Sequence, residues 1–361
     1  MVELQPQKKR PALYTYGFSS EHEELHKLDL HFENIANNLL QREKKSPALQ
    51  AEVAALTSEK KIEGYAKTIK AVCKAAKTKA KKAVVNLPVS AMFHAVVTLP
   101  KVKKEEFNKV LKAEVKKLLP RPLEEMALDY QVLSSSKDSV MERVLINAVP
   151  LELIAFYTKI FQRAGLVLEV LESGSAALAR ALVGRDKSLC MIIDIGAERT
   201  NFFIIDESVP VTHQSIEIGG NKMDEILQRT LGVENNLVGQ IKYDLGYYFS
   251  SSKDDQTQEA EAIMQTLSPV VDPIVKEIEY GFEVYLRQSG NEKKRPEKII
   301  LTGGASFLPN LTRHIEDKFK VKCYVGDPWA RVVYQDGLKT LLHQIGPRMA
   351  MAIGLALRSM V

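Results

Sequence analysis

The chain has 361 residues with 45% hydrophobic and 26% charged content, which describes a globular protein long enough for two domains and excludes a disordered chain. No apolar run approaches the ~20 residues a membrane-spanning helix needs, and the opening MVELQPQKKRP carries charge without an apolar core, so export is not expected. The net charge is a modest +5, and Cys73, Cys190 and Cys323 lie far apart without metal-type spacing, as in reduced, mostly buried thiols of a cytosolic protein.

In chain order, ALYTYGF is a short strand signal, followed by a polar helical stretch interrupted near SPALQ and resuming through SEKKIEGYAKTIKAVCKAAK. Lys67, Lys70, Lys74, Lys77 and Lys81 recur every three or four residues opposite Ile69, Val72, Cys73 and Ala76, an amphipathic pattern with a lysine face. A solvated face is preferred over a patch for anionic lipid or nucleic acid, because the stretch lacks arginines and aromatics. KAVVNLP then reads as a buried strand ending at Pro88.

From Val89 the pattern runs β, α, β, β, α. AMFHAVVTLP is a strand, and KVKKEEFNKVLKAEVKKLL is a helix with Phe107, Val110, Leu111, Val115 and Leu118 on one face, stopped by LPRP. MALDYQVLSS and RVLINAVP are strands around a polar SSSKDS turn, and PLELIAFYTKIFQRAGL is a helix closed by Gly165. VLEV is a strand, and ESGSAALARAL a helix whose small residues suit close packing between two lobes.

MIIDIGAERTNFFII, residues 191–205, is an apolar strand, a turn over Gly196 to Arg199, and a second strand after Thr200. A strand then runs into Gly219-Gly220, with a helix expected near Asp224 as its N-cap. Residues 233–290 read as helical and polar, with a flexible SSSKDDQTQEAE. EKIILTGGASFLPNLTRHIEDKF is a buried strand, a turn at Gly303-Gly304 expected to lead straight into a helix, and that helix; KCYVGDPW is a last strand and turn, and GPRMAMAIGLALRSM a small-residue helix.

Glycine turns at strand ends mark places where backbone must come close to something. A hairpin tip with free N–H groups, the Thr200 hydroxyl and Asp194 at the carboxyl end of a strand could hold phosphate and a hydrated Mg²⁺. Helix N-termini behind Gly219-Gly220 and Gly303-Gly304 would favour anions. Neither a GxxxxGK[ST] nor a GxGxxG motif is present.

The series DIGAERT, IEIGGNKM and ILTGGASFLPNL resembles the nucleotide-binding half of the actin, heat-shock ATPase and sugar-kinase superfamily. The segment NLPVSAMFHAVVTLPKVKKEEFNKVLKAEVKKLLPRPLEEMALDYQVL is similar to the inserted subdomain of the FtsA and PilM families, closer to PilM, as is VGDPW followed by GPRMAMAIGLALR. The resemblance implies an α/β, two-lobed actin-like (ribonuclease H-like) fold with an FtsA/PilM-type insertion. It assigns 1–88 to the first lobe, 89–168 to the inserted 1C-type subdomain, 169–189 to the return to the first lobe and the interlobe helix, 190–345 to the second lobe with a 2B-like insertion about 221–295, and 346–361 to a C-terminal interlobe helix.

By position, the resemblance implies that Asp194, Gly196 and Thr200 form the second phosphate loop, Asp194 holding Mg²⁺ through water. It implies that Gly219 and Gly220 contact the nucleotide, that Gly303 and Gly304 face the adenosine, and that Glu172 orients attacking water. For Glu172, an acid favoured by a helix N-terminus is an equal alternative. The implied cofactors are ATP and Mg²⁺. The implied role is a cytoplasmic scaffold at the inner face of the cytoplasmic membrane in a type IV pilus, type II secretion or competence machine. It would hold the N-terminal peptide of a PilN-type membrane protein and signal to the assembly motor through lobe closure. Nucleic acid is not an expected partner, and self-association stays open.

The superfamily's first phosphate hairpin opens the protein with its own Asp-Ile-Gly, whereas MVELQPQ here looks like the end of the return strand. A late-assigned start codon is favoured over a degenerate member, because the second-lobe turns read intact; either way, ATP binding is expected to be weakened in this sequence. An FtsA-like filament former would need a terminal amphipathic helix, which GLALRSMV does not supply. A sugar kinase lacks a visible substrate constellation, leaving at most a slow ATPase.

Overall fold

The computed structural model describes residues 1–19, 47–133, 140–234, 237–238, 240–241, 244, 258–288, 290–308 and 310–360. The SSSKDS turn, the polar stretch before Pro47 and most of SSSKDDQTQEAE lie outside the described residues. The chain forms two compact units: Met1–Glu3 with Tyr14–Gly174, and Leu4–Leu13 with Ser175–Val361.

Strands β1 (Val2–Gln5) and β2 (Ala12–Tyr16) make one two-stranded sheet, and in the first unit β3 (Lys82–Leu87) and β7 (Val167–Ser173) make another, the latter parallel. Between β3 and β7 in sequence lies a three-stranded antiparallel sheet in the order β4 (Phe93–Pro100), β6 (Met141–Pro150), β5 (Met126–Val132). Helix α2 (Lys104–Leu118) covers one face of it. Leu111 and Val115 of the helix meet Val97 and Leu99 of β4 and Val144 and Ile146 of β6 in one buried cluster. Glu105 and Glu106 in its first turn and Lys116 and Lys117 in its last complement the helix dipole.

Helix α1 (Pro47–Ala75) and helix α3 (Leu151–Ala164) pack through Ile62, Tyr65 and Ile160, while Tyr157 of α3 joins Leu87 and Val149 in a second cluster. The predicted lysine face of α1 is exposed. The helix ends at Ala75, earlier than the repeat implied, because Lys77 turns left-handed (φ 53°) and Thr78 N–H closes back on Cys73 O at 3.1 Å.

The second unit is built on one five-stranded sheet, ordered β10 (Val209–Ile216), β9 (Thr200–Asp206), β8 (Cys190–Ile195), β11 (Lys298–Thr302), β12 (Lys322–Val325). The hairpin strands are antiparallel, and β8, β11 and β12 are parallel. Residues 190–193 of β8 are fully buried, as expected of a central strand covered on both faces.

Helix α4 (Gly174–Leu178, continued by a π turn over Ala179–Val183) and α9 (Lys339–Ala356) pack at Gly354, whose missing Cβ leaves room for Ala177 O. Arg180 donates to Gly354 O at 2.6 Å, and Ser175 Oγ bonds His213 Nε2 of β10 at 2.5 Å, tying α4 to both neighbours. Trp329 is buried with its indole N–H on Leu342 O at 2.7 Å.

Three local expectations need correction. Helix α5 (Gly220–Leu231) starts four residues before Asp224, with Gly219 as N-cap, since the strand before it ends at Ile216 and the glycines let the chain turn at once. The Gly303-Gly304 turn does not run directly into helix α8 (Leu311–Phe319); an irregular segment intervenes. The 233–290 region is not polar throughout. After α6 (Gln258–Thr266), helix α7 (Ser268–Leu286) buries Val270, Val271, Ile274, Val275, Ile278, Phe282 and Tyr285 against β9 and β10. Its outward acids and lysine had masked that stripe. Tyr285 and Lys294 both bond Asp206, anchoring the end of α7 to the end of β9.

Gly354→Ala places a methyl on the Ala177 carbonyl. It should lower the stability of the second unit by about 1–3 kcal/mol, read by calorimetry as a lower unfolding temperature.

Candidate functional site

At the carboxyl end of β8 three loops meet. The β8–β9 hairpin turns tightly, Gly196 N–H donating to Arg199 O at 2.9 Å. The start of α5 docks on it: Gly220 N–H donates to Gly196 O at 2.8 Å and Asn221 N–H to Ala197 O at 2.7 Å. A Cβ on Gly219 would sit 2.6 Å from Gly196 O and 2.7 Å from Ala197 O, so this approach requires glycine. From the other side, Ala305 N–H donates to Ile195 O at 3.1 Å, and Gly303, at φ 91°, leaves no room for a Cβ against Ile195.

The structure thus brings Gly196, Gly219, Gly220 and Gly303 together in one place. Gly304 follows Gly303 with more space: a Cβ there meets only Arg348 Cγ at 4.0 Å. Glu172 lies in the first unit, buried near the end of β7 rather than in a helix, in register with Asn86 of β3.

Asp194 stands in a row of polar side chains on paired strands. It pairs in register with Asn201 of β9 and Thr302 of β11, and Asn201 pairs with Ser215 of β10. Asn201 Nδ2 is 3.4 Å from Asp194 Oδ2, and the Thr302 hydroxyl donates to Pro347 O at 3.1 Å. Asp194 is half-buried, and burial pushes its pKa up to about 6 against a smaller opposing pull from Asn201. Sequence reading missed Asn201, Thr302 and Ser215. A two-residue turn fixes hairpin register, so Asn201 could have been found opposite Asp194 by counting back from the tip.

The hydrogen bonding bears on what this place can hold. The first two helical N–H groups of α5, those of Gly220 and Asn221, are taken by hairpin carbonyls, and the buried Thr200 hydroxyl donates to Ile218 O at 2.7 Å. Those groups serve loop docking. Asp194 does suit a cation, which would hold its carboxylate ionised. Among the described residues no group of three or more His, Cys, Asp or Glu could hold a metal, so water would complete its shell. At the hairpin tip Arg199 is paired with the exposed Glu217 at 2.5 Å.

A family model described as type IV pilus assembly protein PilM matches residues 43–360. The chain belongs to that family. A solved PilM-PilN type IV pilus biogenesis complex contains a chain that matches this PilM-family chain with TM-score 0.73 and 22% identity, covering 100% of it and 95% of the other. That similarity shows the shared fold. Two further solved structures match at TM-score 0.38. The ethanolamine utilization protein EutJ from Carboxydothermus hydrogenoformans is 18% identical and covers 55% of this chain and 59% of its own. MreB 5 of Spiroplasma citri, bound to AMPPNP, is 15% identical and covers 57% and 63%. No helix among the described residues is long and apolar enough to cross a membrane.

Two outcomes follow from this geometry. Gly219→Ala should destabilise the second unit by about 1–3 kcal/mol, whereas Gly304→Ala should stay within about 0.5 kcal/mol in the same denaturant titration. The raised Asp194 pKa means its contribution to stability is fully present below the unfolded value of about 4 and is lost as pH rises through about 6. Asp194→Asn should remove that loss, so its unfolding temperature should exceed that of the parent at pH 7 and match it near pH 4.

Proposed function

We propose that this chain is an actin-like scaffold of the type IV pilus assembly complex at the inner face of the cytoplasmic membrane. In this reading it binds Mg²⁺–ATP at the three-loop site of the second unit and an extended PilN-type N-terminal peptide in the first unit. The observation that carries the nucleotide part is the convergence of the β8–β9 hairpin, the α5 entrance and the Gly303 turn around Asp194. Asp194 would hold the hydrated Mg²⁺, the hairpin would face the phosphates, and Gly303 and Gly304 the adenosine. ATP, when bound, would supply the phosphate charge that the hydrated Mg²⁺ on Asp194 would neutralise; Glu172 is the candidate to orient water in a slow hydrolysis.

The peptide part rests on the first unit. Residues 89–168 act here as the docking subdomain. Strands β4 and β5 are the outer strands of their sheet, with one ladder edge each lacking a partner among the described residues. An extended peptide pairs with such an edge and seats alternate side chains in apolar pockets. The presence of PilN in the related complex agrees with this partner class.

A second reading, a family member that keeps the fold and the peptide but not the nucleotide, is favoured by one observation. The helix N–H groups and hydroxyl that would meet phosphate are engaged with the protein's own carbonyls. Calorimetric titration with Mg²⁺–ATP separates the two. The first reading expects saturable binding, weakened about tenfold or more in Asp194→Ala; no heat of binding leaves the second. Fluorescence polarisation with a labelled peptide copying a PilN-type cytoplasmic N-terminus tests what both share, and failure to saturate overturns the docking role.

A further inference from the structure

Helix α1 has two faces of different character. Its apolar face is occupied: Ile62 and Tyr65 pack with Ile160 of α3, and Ile69 and Phe156 join them. At 3.6 residues per turn Lys67, Lys70 and Lys74 fall together on a side turned away from that contact, and all three are exposed. Lys77 prolongs the row past the helix end. It is exposed too, and its N–H donates to Lys74 O at 3.1 Å. From Lys67 to Lys74 the helix rises about 10 Å, close to the Debye length at physiological salt, so these charges act together on whatever faces them.

The sequence pattern alone favours a plain solvated face; the structure adds where the counter-charges go. No acidic residue occurs between Glu63 and Lys82. The acids around this stretch are engaged elsewhere. Glu59 and Glu63 pair with Arg163 of α3 at 2.5 and 3.6 Å, and Glu169 of β7 pairs with Lys82 at 2.7 Å. Glu3 accepts from the N–H groups of Lys79 and Ala80 at 2.9 and 3.2 Å. Among the described residues no ion pair reaches Lys67, Lys70, Lys74 or Lys77. A cation in the last turn, here Lys74, is the ordinary complement of the helix dipole and accounts for that residue alone. Elsewhere this chain interleaves the two signs on its exposed helices, as in Lys117–Glu114, Lys222–Glu225 and Arg229–Glu225. Along α1 each lysine of the row instead has another lysine three or four residues away, an arrangement that costs stability.

We infer that the lysine row of α1 is a docking surface for an anionic phospholipid bilayer. The negative headgroup layer supplies the counter-charge the row lacks, and each lysine brought near that layer strengthens the attraction. The apolar face of α1 is packed in the protein, so the contact is electrostatic adsorption and not insertion of the helix. The row has no arginine and no aromatic side chain, which disfavours nucleic acid, where bases are stacked and phosphates gripped by guanidinium forks. A headgroup layer asks for neither, since charge alone suffices. This docking goes beyond the nucleotide and peptide binding proposed above and does not depend on them.

The full chain is sedimented with vesicles of phosphatidylcholine and with vesicles that also contain phosphatidylglycerol, at low and at high sodium chloride. Binding should require phosphatidylglycerol and should be lost at high salt. Combining Lys67→Gln, Lys70→Gln and Lys74→Gln should lower the partition coefficient on the order of 100-fold, roughly fivefold for each charge removed. These side chains are exposed and glutamine is a good helix former, so the triple variant should unfold no lower than the parent. A second triple variant, Lys109→Gln, Lys112→Gln and Lys116→Gln on α2, removes the same net charge from another exposed face and should bind like the parent. Equal loss in both variants, equal binding to the two kinds of vesicle, or no sedimentation at low salt overturns the proposal. A labelled oligonucleotide is titrated alongside. Binding of it that the α1 variant loses, without vesicle binding, assigns the row to nucleic acid and overturns the lipid reading.

Discussion

The second unit depends on a contact between backbones. Carbonyls of the β8–β9 hairpin accept N–H groups from the start of α5 and from the turn after β11, at distances only glycine permits at positions 219 and 303. Hydrogen bonds of this kind give the loops a fixed mutual position, which the Thr200 hydroxyl on Ile218 O reinforces. They place Asp194 at the meeting point with Asn201 and Thr302 in register on either side. Burial favours the protonated form of this carboxyl, and a cation placed on it would hold it ionised.

The same contact limits the site. An N–H group bonded to a hairpin carbonyl does not also receive phosphate, so the dipole of α5 stabilises protein rather than ligand at its first turn. In this PilM-family chain, backbone packing thus fixes the arrangement of these loops and takes up the N–H groups at the start of α5.

The first unit is assembled by a different means. Its inserted sheet has a core of its own under α2, and α3 joins that insertion to α1 and to the β3–β7 pair through Ile160 and Tyr157. Side-chain packing carries this part. Its outer strands offer the ladder edges on which peptide docking is proposed.

Much of this was legible in the sequence. Continuous apolar runs ending in glycine turns located β8 and β11, two prolines stopped α2, and the β, α, β, β, α order of the insertion followed from periodicity alone, because each signal is local. The family resemblance was equally readable, since it rests on the order of those turns. What stayed hidden needed the partner strand or helix. The buried stripe of α7 was obscured by charge on its outer face, and Asn201 acquired meaning only once paired with Asp194. The occupied N–H groups of α5 and the bridge between Ala12 and Val333 join residues distant in sequence. Composition and spacing specify which elements form; which polar groups remain available to a ligand is decided by tertiary contacts, because each donor's partner is chosen by the fold.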